Sequence, residues 1–319
     1  MGAPPPAGAL MEELVEEIRL PPAKPESLAR AALVCKSWCR LISSPRFRRR
    51  LREFHRTPPM LGLICNRFEY RYLTRFVPTW SFRPRHADRR QWRALDARHG
   101  RVLLHGMNWG RRQLVVWDPV TDDWSQLPMG PRLHYDWNAA VLCAACATGA
   151  CDQLDCFLRP FLVVFFGTGV NHMTLWVYSS EVGAWSEPTS VVQFPRTRSC
   201  TTIMTMEDAG LGVARMEGRR LSLWSMEANL NGSMGWAQIR AIDLVKLLSD
   251  VDAHSNFSDF VGFAHGVGIF FVGTDDGLFS FDLKSGLVRK VCEGGCHYSG
   301  VIPYMSFYTP ALGAVSTGD

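Results

Sequence analysis

No apolar run in this 319-residue chain approaches the ~18 residues that a membrane-crossing helix needs. The longest, Phe161-Leu162-Val163-Val164-Phe165-Phe166, has the length of a strand, so no membrane partner is expected. The chain also lacks an HExxH, a GxSxG, a P-loop and a GxGxxG placed after a strand. Its nine histidines form no hydrolytic pattern, and no nucleophile or acid/base set stands out, so catalysis by the chain itself and a bound cofactor are not expected. The opening Met1-Gly2-Ala3-Pro4-Pro5-Pro6 has no charged region before an apolar block, which argues against a secretory signal. Without such a signal the ten cysteines read as reduced thiols rather than a disulfide framework, in a cytoplasmic and/or nuclear protein.

Acidic residues are scarce in the first third. Residues 1–112 carry 23 Lys and Arg against 9 Asp and Glu, and residues 113–319 carry 12 against 21. The overall net charge of +5 hides a basic N-terminal part (+14) and an acidic remainder (−9). Two readings stay open: an Arg-rich solvated surface, or a basic face for an acidic or phosphorylated partner.

Composition is otherwise that of an ordinary globular protein, 47% hydrophobic and 20% charged. Residues 1–9, rich in Pro, Ala and Gly, read as a disordered tail. A helical zone follows over 10–56. In it Leu28, Ala31, Ala32, Cys35, Trp38 and Ile42 share one stripe at helical spacing. Pro25-Glu26-Ser27 starts that helix, Pro45 starts another, and Pro21-Pro22 ends an earlier one. The zone is too short to bury so wide an apolar face alone, so the helix needs a partner.

From about residue 60 helical periodicity is missing, apart from a weak turn or two near 242–248. Short Val-, Phe-, Trp- and Leu-rich runs take over, bounded by Gly, Pro, Asp and Asn. A pattern of one strand plus a hairpin recurs four times. Its hairpin strands centre on Trp117, Tyr178, Trp224 and Phe281, at intervals of 61, 46 and 57 residues. Trp124, Trp185 and Trp236 lie on three of the returning strands. Strand-built repeats of about 40–50 residues mean propeller blades, which stack round an axis because a lone meander cannot bury both faces. Residues 57–310 would give about five or six blades, with 311–319 as a tail; the sequence leaves open whether the ring is complete.

Two further constellations have rival readings. Cys143, Cys146, Cys151 and Cys156 have spacings that a zinc site can use, but no histidine sits at finger spacing, and strand and loop thiols are the preferred reading; no metal is expected. Cys292, Cys296 and His297 make a weaker set. Six arginines over 46–56 and twelve over 67–112, interleaved with Phe68, Tyr70, Tyr72, Phe76, Trp80 and Trp92, resemble a single-strand-binding groove. The same alternation occurs on propeller edge strands, and a nucleic-acid partner is not favoured.

With both parts placed, the chain resembles a plant, grass-type F-box protein with a propeller-like C-terminal region. The resemblance rests on residues 33–42 (LVCKSWCRLI), on 14–18 and 20–22, and on Trp117-Asp118-Pro119-Val120-Thr121 and Ile302-Pro303-Tyr304-Met305. It implies a small all-α three-helix F-box followed by an all-β propeller-like domain. The function implied is that of the substrate-recognition subunit of an SCF-type cullin–RING ubiquitin ligase. Its F-box would dock a Skp-family adaptor, and through it a cullin, while the C-terminal domain holds an unknown protein substrate. Leu14, Ile18, Leu20, Pro21, Leu28, Val34, Cys35, Trp38 and Ile42 fall on F-box positions that pack the small domain or face the adaptor, with Trp38 the foremost anchor. The pattern departs from the family at Leu10-Met11, where Leu-Pro is usual. About two residues are also missing before Leu20-Pro21, and two residues turn a helix by about 200°. A propeller interaction module with a degenerate, non-docking F-box is therefore the alternative.

Overall fold

Antiparallel strands with one apolar face must be covered by a neighbouring sheet, and here the neighbours are copies of the same meander. The computed structural model describes residues 35–307, apart from 69, 80–81, 108–112, 129, 131–135, 146–150, 152–155, 157–158, 169–171, 193–200, 206–210, 218, 229–233, 249–256, 265–266, 275 and 294–297. Two helices come first, α1 (Lys36–Ser43) and α2 (Pro45–His55), and all else is β apart from the short α3 (Leu244–Leu248). The weak helical signal near 242–248 corresponds to α3. Of the three-helix expectation, the part before Cys35 lies outside the described residues.

The strands form five sheets in a propeller arrangement. Blade 1 contains β1 (Met60–Phe68), β2 (Tyr72–Pro78) and β3 (Asp88–Arg90), with β21 (Tyr298–Met305) added at its inner edge in the order β21-β1-β2-β3. Blade 2 runs β4 (Trp92–Arg98), β5 (Arg101–Gly106), β6 (Gln113–Trp117), β7 (Trp124–Gln126). Blade 3 comprises β8 (Asp136–Cys143), β9 (Phe161–Thr168) and β10 (His172–Ser179), and its outer strand is split into β11 (Ala184–Trp185) and β12 (Thr189–Val192). Pro188, without an N–H, falls in the split. Blade 4 is β13 (Thr201–Thr205), β14 (Leu211–Glu217), β15 (Arg220–Ala228), β16 (Met234–Asp243). Blade 5 is β17 (Phe257–Ala264), β18 (Ile269–Thr274), β19 (Gly277–Asp282), β20 (Val288–Glu293).

Each blade packs on the next through its own apolar cluster, and the five clusters close the ring. Ile64, Trp117 and Tyr304 join blades 1 and 2. Leu103, Val141 and Phe165 join 2 and 3. Ala140, Phe166 and Ile203 join 3 and 4. Leu223, Phe270 and Phe281 join 4 and 5, with the last two rings stacked 4.8 Å apart. Leu63, Phe271 and Val301 join 5 to 1. Burying one such Phe is worth about 1.5–3 kcal/mol. The blade count settles at five, and the ring left open by the sequence is closed by pairing of the chain's late strand with its early one. Leu63 of β1 pairs with Pro303 of β21, and Ile64 with Ile302. A proline fits there because β21 pairs on one side only.

The four sequence units are strands two to four of blades 2 to 5. The tryptophans on the returning strands pack against the preceding blade. Trp185 lies against the cluster between blades 2 and 3, Trp236 against that between 3 and 4, and Val288 takes the place between 4 and 5.

Candidate docking helices and recognition face

Local chemistry fixes where α2 begins and ends. Ser44 is extended (φ −63°, ψ 142°), and its Oγ accepts the Phe47 N–H at 3.2 Å, an N-cap, with Pro45 in the first turn where its missing N–H costs nothing. At the other end Arg56 is left-handed (φ 55°), and its N–H bonds the Arg52 carbonyl at 2.6 Å. Leu51 is buried and Phe47 half-buried, whereas Phe54 is 53% exposed and Arg46, Arg49 and Arg50 face solvent. The outcome is a short helix with an arginine-rich exterior.

Of the sequence-derived site residues, Leu14, Ile18, Leu20, Pro21, Leu28 and Val34 lie outside the described residues. Cys35 is exposed immediately before α1, Trp38 is half-buried on it, and Ile42 is only 1% exposed. In this conformation Ile42 serves internal packing, while Cys35 and part of Trp38 remain open to a partner.

The helices join the disc at a definite place. The Ser306 N–H bonds the carbonyl of Pro59 at 3.2 Å, just ahead of β1, and the Tyr304 hydroxyl bonds the carbonyl of Gly100 in the β4–β5 turn at 3.0 Å. The helical segment therefore departs from the face that carries the turns between first and second strands. The opposite face receives the second-to-third connections and the blade-to-blade crossovers, and carries no described helix of the N-terminal segment.

The axis is plugged by buried charge. β4 bulges between Ala94 and Asp96. From this strand Asp96 accepts the Val141 N–H of β8 at 2.9 Å and pairs with Arg98 at 3.0 Å. Arg98 in turn donates to the Ile203 carbonyl of β13 at 2.8 Å. Both side chains are buried. With the axis filled at that level, recognition of a macromolecule falls to the loops and the rim.

Sequence reasoning missed one rim assembly. The Arg89 guanidinium lies 4.0 Å from the ring centroids of both Trp117 and Trp124 and bonds Asp122 at 2.7 Å. Trp117 Nε1 and His86 Nδ1 also lie on Asp122, at 3.0 and 2.6 Å. Burial pushes the Asp122 carboxyl up, but those hydrogen bonds and the Arg89 and His86 charges outweigh it and hold the carboxyl below its ordinary value. The signal was the Arg–Trp interleaving itself. Arg75 likewise pairs with Asp88 at 2.9 Å, Arg98 and Arg101 are buried, Phe76 is in the core and Trp92 packs on it, while Phe68 and Tyr70 are exposed. Among the cysteines, Cys143 ends β8, Cys151 and Cys156 lie in the β8–β9 connection, and Cys292 is half-buried in β20. Cys146 and Cys296 lie outside the described residues. No helix among the described residues is long and apolar enough to cross a membrane.

Comparison with known proteins bears on the N-terminal part. Residues 19–53 match the F-box-like family. No curated protein matches the chain. Among solved structures it is similar to an acylaminoacyl peptidase from Pyrococcus horikoshii (11% identity, TM-score 0.33, covering 71% of this chain and 42% of that one). It is also similar to the WD40 domain of SCAP from fission yeast (15%, TM-score 0.31, 67% and 56%). A third is an exo-beta-1,3-galactanase from Phanerochaete chrysosporium (8%, TM-score 0.33, 64% and 49%). The chain spans about half the length of these proteins, and at such scores the likeness carries no argument about function.

Proposed function

We propose that this chain is the substrate-recognition subunit of an SCF-type ubiquitin ligase. Its F-box-like segment docks a Skp-family adaptor and through it a cullin, and its five-bladed disc holds the protein to be ubiquitinated. The observation that carries this reading is the joining, in one chain, of an F-box-like match at 19–53 to a β-propeller arrangement. Propellers bind through surface loops, and a plugged axis leaves the loops and rim for that task. The chain acts as an adaptor and supplies no catalytic group of its own, in the cytoplasm and/or nucleus. Co-purification with a Skp-family protein, lost on Trp38→Ala combined with Leu33→Ala, is the expected result. No adaptor binding by the wild type, where an intact F-box protein binds, overturns it.

A second reading has its own support. The family match begins at Arg19, so Leu14 and Ile18 fall outside it, where the sequence is about two residues short. An F-box that no longer docks would leave a partner-binding disc. It predicts unchanged partner capture after deletion of residues 1–56, and adaptor binding gained when two helical residues are inserted behind Ile18. Adaptor binding by the wild type eliminates it.

A further inference from the structure

The β4–β5 connection is a two-residue turn, since Arg98 pairs directly with Arg101. Both of its residues are left-handed, His99 at φ 55° and Gly100 at φ 75°. Such a turn prefers Asn-Gly, Asp-Gly or Gly-Gly. Histidine in the first position gives up some of that preference and sets an imidazole at the edge of the disc.

Two thiols meet it there. His99 Nδ1 lies 3.7 Å from Cys151 Sγ and 3.7 Å from Cys156 Sγ, and the two sulfurs are 3.4 Å apart. The three atoms form a nearly equilateral triangle. A tetrahedral zinc ion, with bonds of ~2.3 Å to sulfur and ~2.0 Å to nitrogen, requires ligand–ligand edges of ~3.8 Å for S–S and ~3.5 Å for S–N. The observed edges are within a few tenths of an ångström of these. Two thiolates and an imidazole are also the donors that favour zinc over magnesium or calcium. Cys143, at the end of β8, hydrogen-bonds to Cys156 and is the nearest protein group for a fourth position.

From these contacts we infer that His99, Cys151 and Cys156, with Cys143 beside them, form a structural zinc site that fastens the β8–β9 connection to the β4–β5 turn.

Charge supports the assignment. Three thiolates and a neutral imidazole around a divalent ion leave one negative charge. Arg101, buried next to Cys143 and Cys156, supplies the matching cation, and it bonds the Arg159 carbonyl at 2.5 Å near the end of the same connection. Without an ion the thiols oppose one another's ionisation. The hydrogen bond with Cys151, then burial, push the Cys156 thiol far above its ordinary value. Binding displaces one proton to solvent for each thiolate formed, so affinity falls as pH falls. The site borders Gly100, whose carbonyl holds Tyr304, so the fastened connection lies on the face from which the helices depart. The inference does not depend on adaptor docking.

The test is metal analysis of the full chain purified without chelator, before and after exchange with Co(II). We expect about one zinc per chain. The Co(II) form should show thiolate charge-transfer absorption and the visible bands of a tetrahedral ion. Cys151→Ser with Cys156→Ser should abolish both. Because that variant risks misfolding, His99→Asn is the second arm. Asparagine suits the turn better than histidine, so tryptophan fluorescence should stay native while zinc affinity drops at least about tenfold. The site is disproved by sub-stoichiometric metal in the zinc-supplemented wild type, by unchanged affinity in folded His99→Asn, or by a Cys151–Cys156 disulfide in metal-free chain.

Discussion

The phenol of Tyr304 donates to the carbonyl of Gly100 at 3.0 Å, across a sequence separation of 204 residues. That bond ties the strand that closes the ring to the first hairpin of the next blade. Tyr304 is 1% exposed. Burial, with the nearby Asp118 charge adding to it, keeps the phenol protonated far above its ordinary range, so the donor persists at every working pH.

Tyr304→Phe keeps the ring, which packs edge-on to Phe76, and removes the donor. The expected cost is about 1–2 kcal/mol, because a buried carbonyl loses its partner. Urea unfolding of both proteins measures it. The difference should be constant between about pH 6 and pH 9, since Tyr304 does not titrate there. A difference that vanishes toward pH 9 would contradict this assignment.

Closure also depends on close approach between blades. A Cβ added to Gly262 of β17 would lie 1.6 Å from the Val301 carbonyl oxygen of β21. The neighbour is backbone, so it cannot step aside as a flexible side chain would. Gly262→Ala should destabilise by about 3 kcal/mol or more. Gly183→Ala is the control. Gly183 has φ +73° with nothing within 4 Å of an added Cβ, so it carries only the left-handed backbone strain, of order 1 kcal/mol. Comparable melting temperatures for the two variants would sink the close-approach argument.

Four blades were readable in the sequence and one was not, for a physical reason. The readable ones carry an apolar residue on the returning strand, Trp124, Trp185, Trp236 or Val288. Blade 1 ends in the three-residue Asp88–Arg90, where Arg89 takes the part of the inserted side chain. Its inner strand comes from the far end of the chain, which no local repeat reveals. In the helical zone, Pro45 marked the start of α2 because proline and the Ser44 cap act locally. The burial of Ile42 was not readable, since an apolar stripe does not say which of its residues face inward. Nor was the approach of His99 to the cysteines, whose partners lie 52 and 57 residues apart in sequence. Spacing rules see only short intervals.

The bulge in β4 yields another prediction. The buried Asn66 amide pairs with both backbone groups of Ala94, accepting its N–H at 2.8 Å and donating to its carbonyl at 2.7 Å. One side chain thus acts as a strand between blades 1 and 2. Asn66→Ala leaves those two buried groups with less than their full pairing and should cost about 2–4 kcal/mol. Asn66→Asp retains the acceptor but not the donor and should recover none of the carbonyl bond. Calorimetric unfolding of the three proteins decides it; a loss under about 0.5 kcal/mol for Asn66→Ala, the size of an ordinary surface change, would refute the role.

The Asp122 cluster gives a pH signature. Its carboxyl titrates below the ordinary value in the folded protein, whereas the unfolded chain takes up the proton near pH ~4. The folded state therefore binds fewer protons. Its stabilisation by Asp122 is complete above about pH 4 and is lost as pH falls through the depressed folded value. Asp122→Asn removes the charge opposite Arg89 and His86 and lacks this dependence. The gap in unfolding free energy between wild type and Asp122→Asn should be widest near neutrality and narrow below about pH 4. Arg89→Lys extends the argument: lysine keeps the charge but cannot fill the planar slot between Trp117 and Trp124. It should destabilise the blade 1–blade 2 rim while leaving the acid-side narrowing in place. A gap between wild type and Asp122→Asn that stays flat across that range would mean that the carboxylate is not held by these partners in solution.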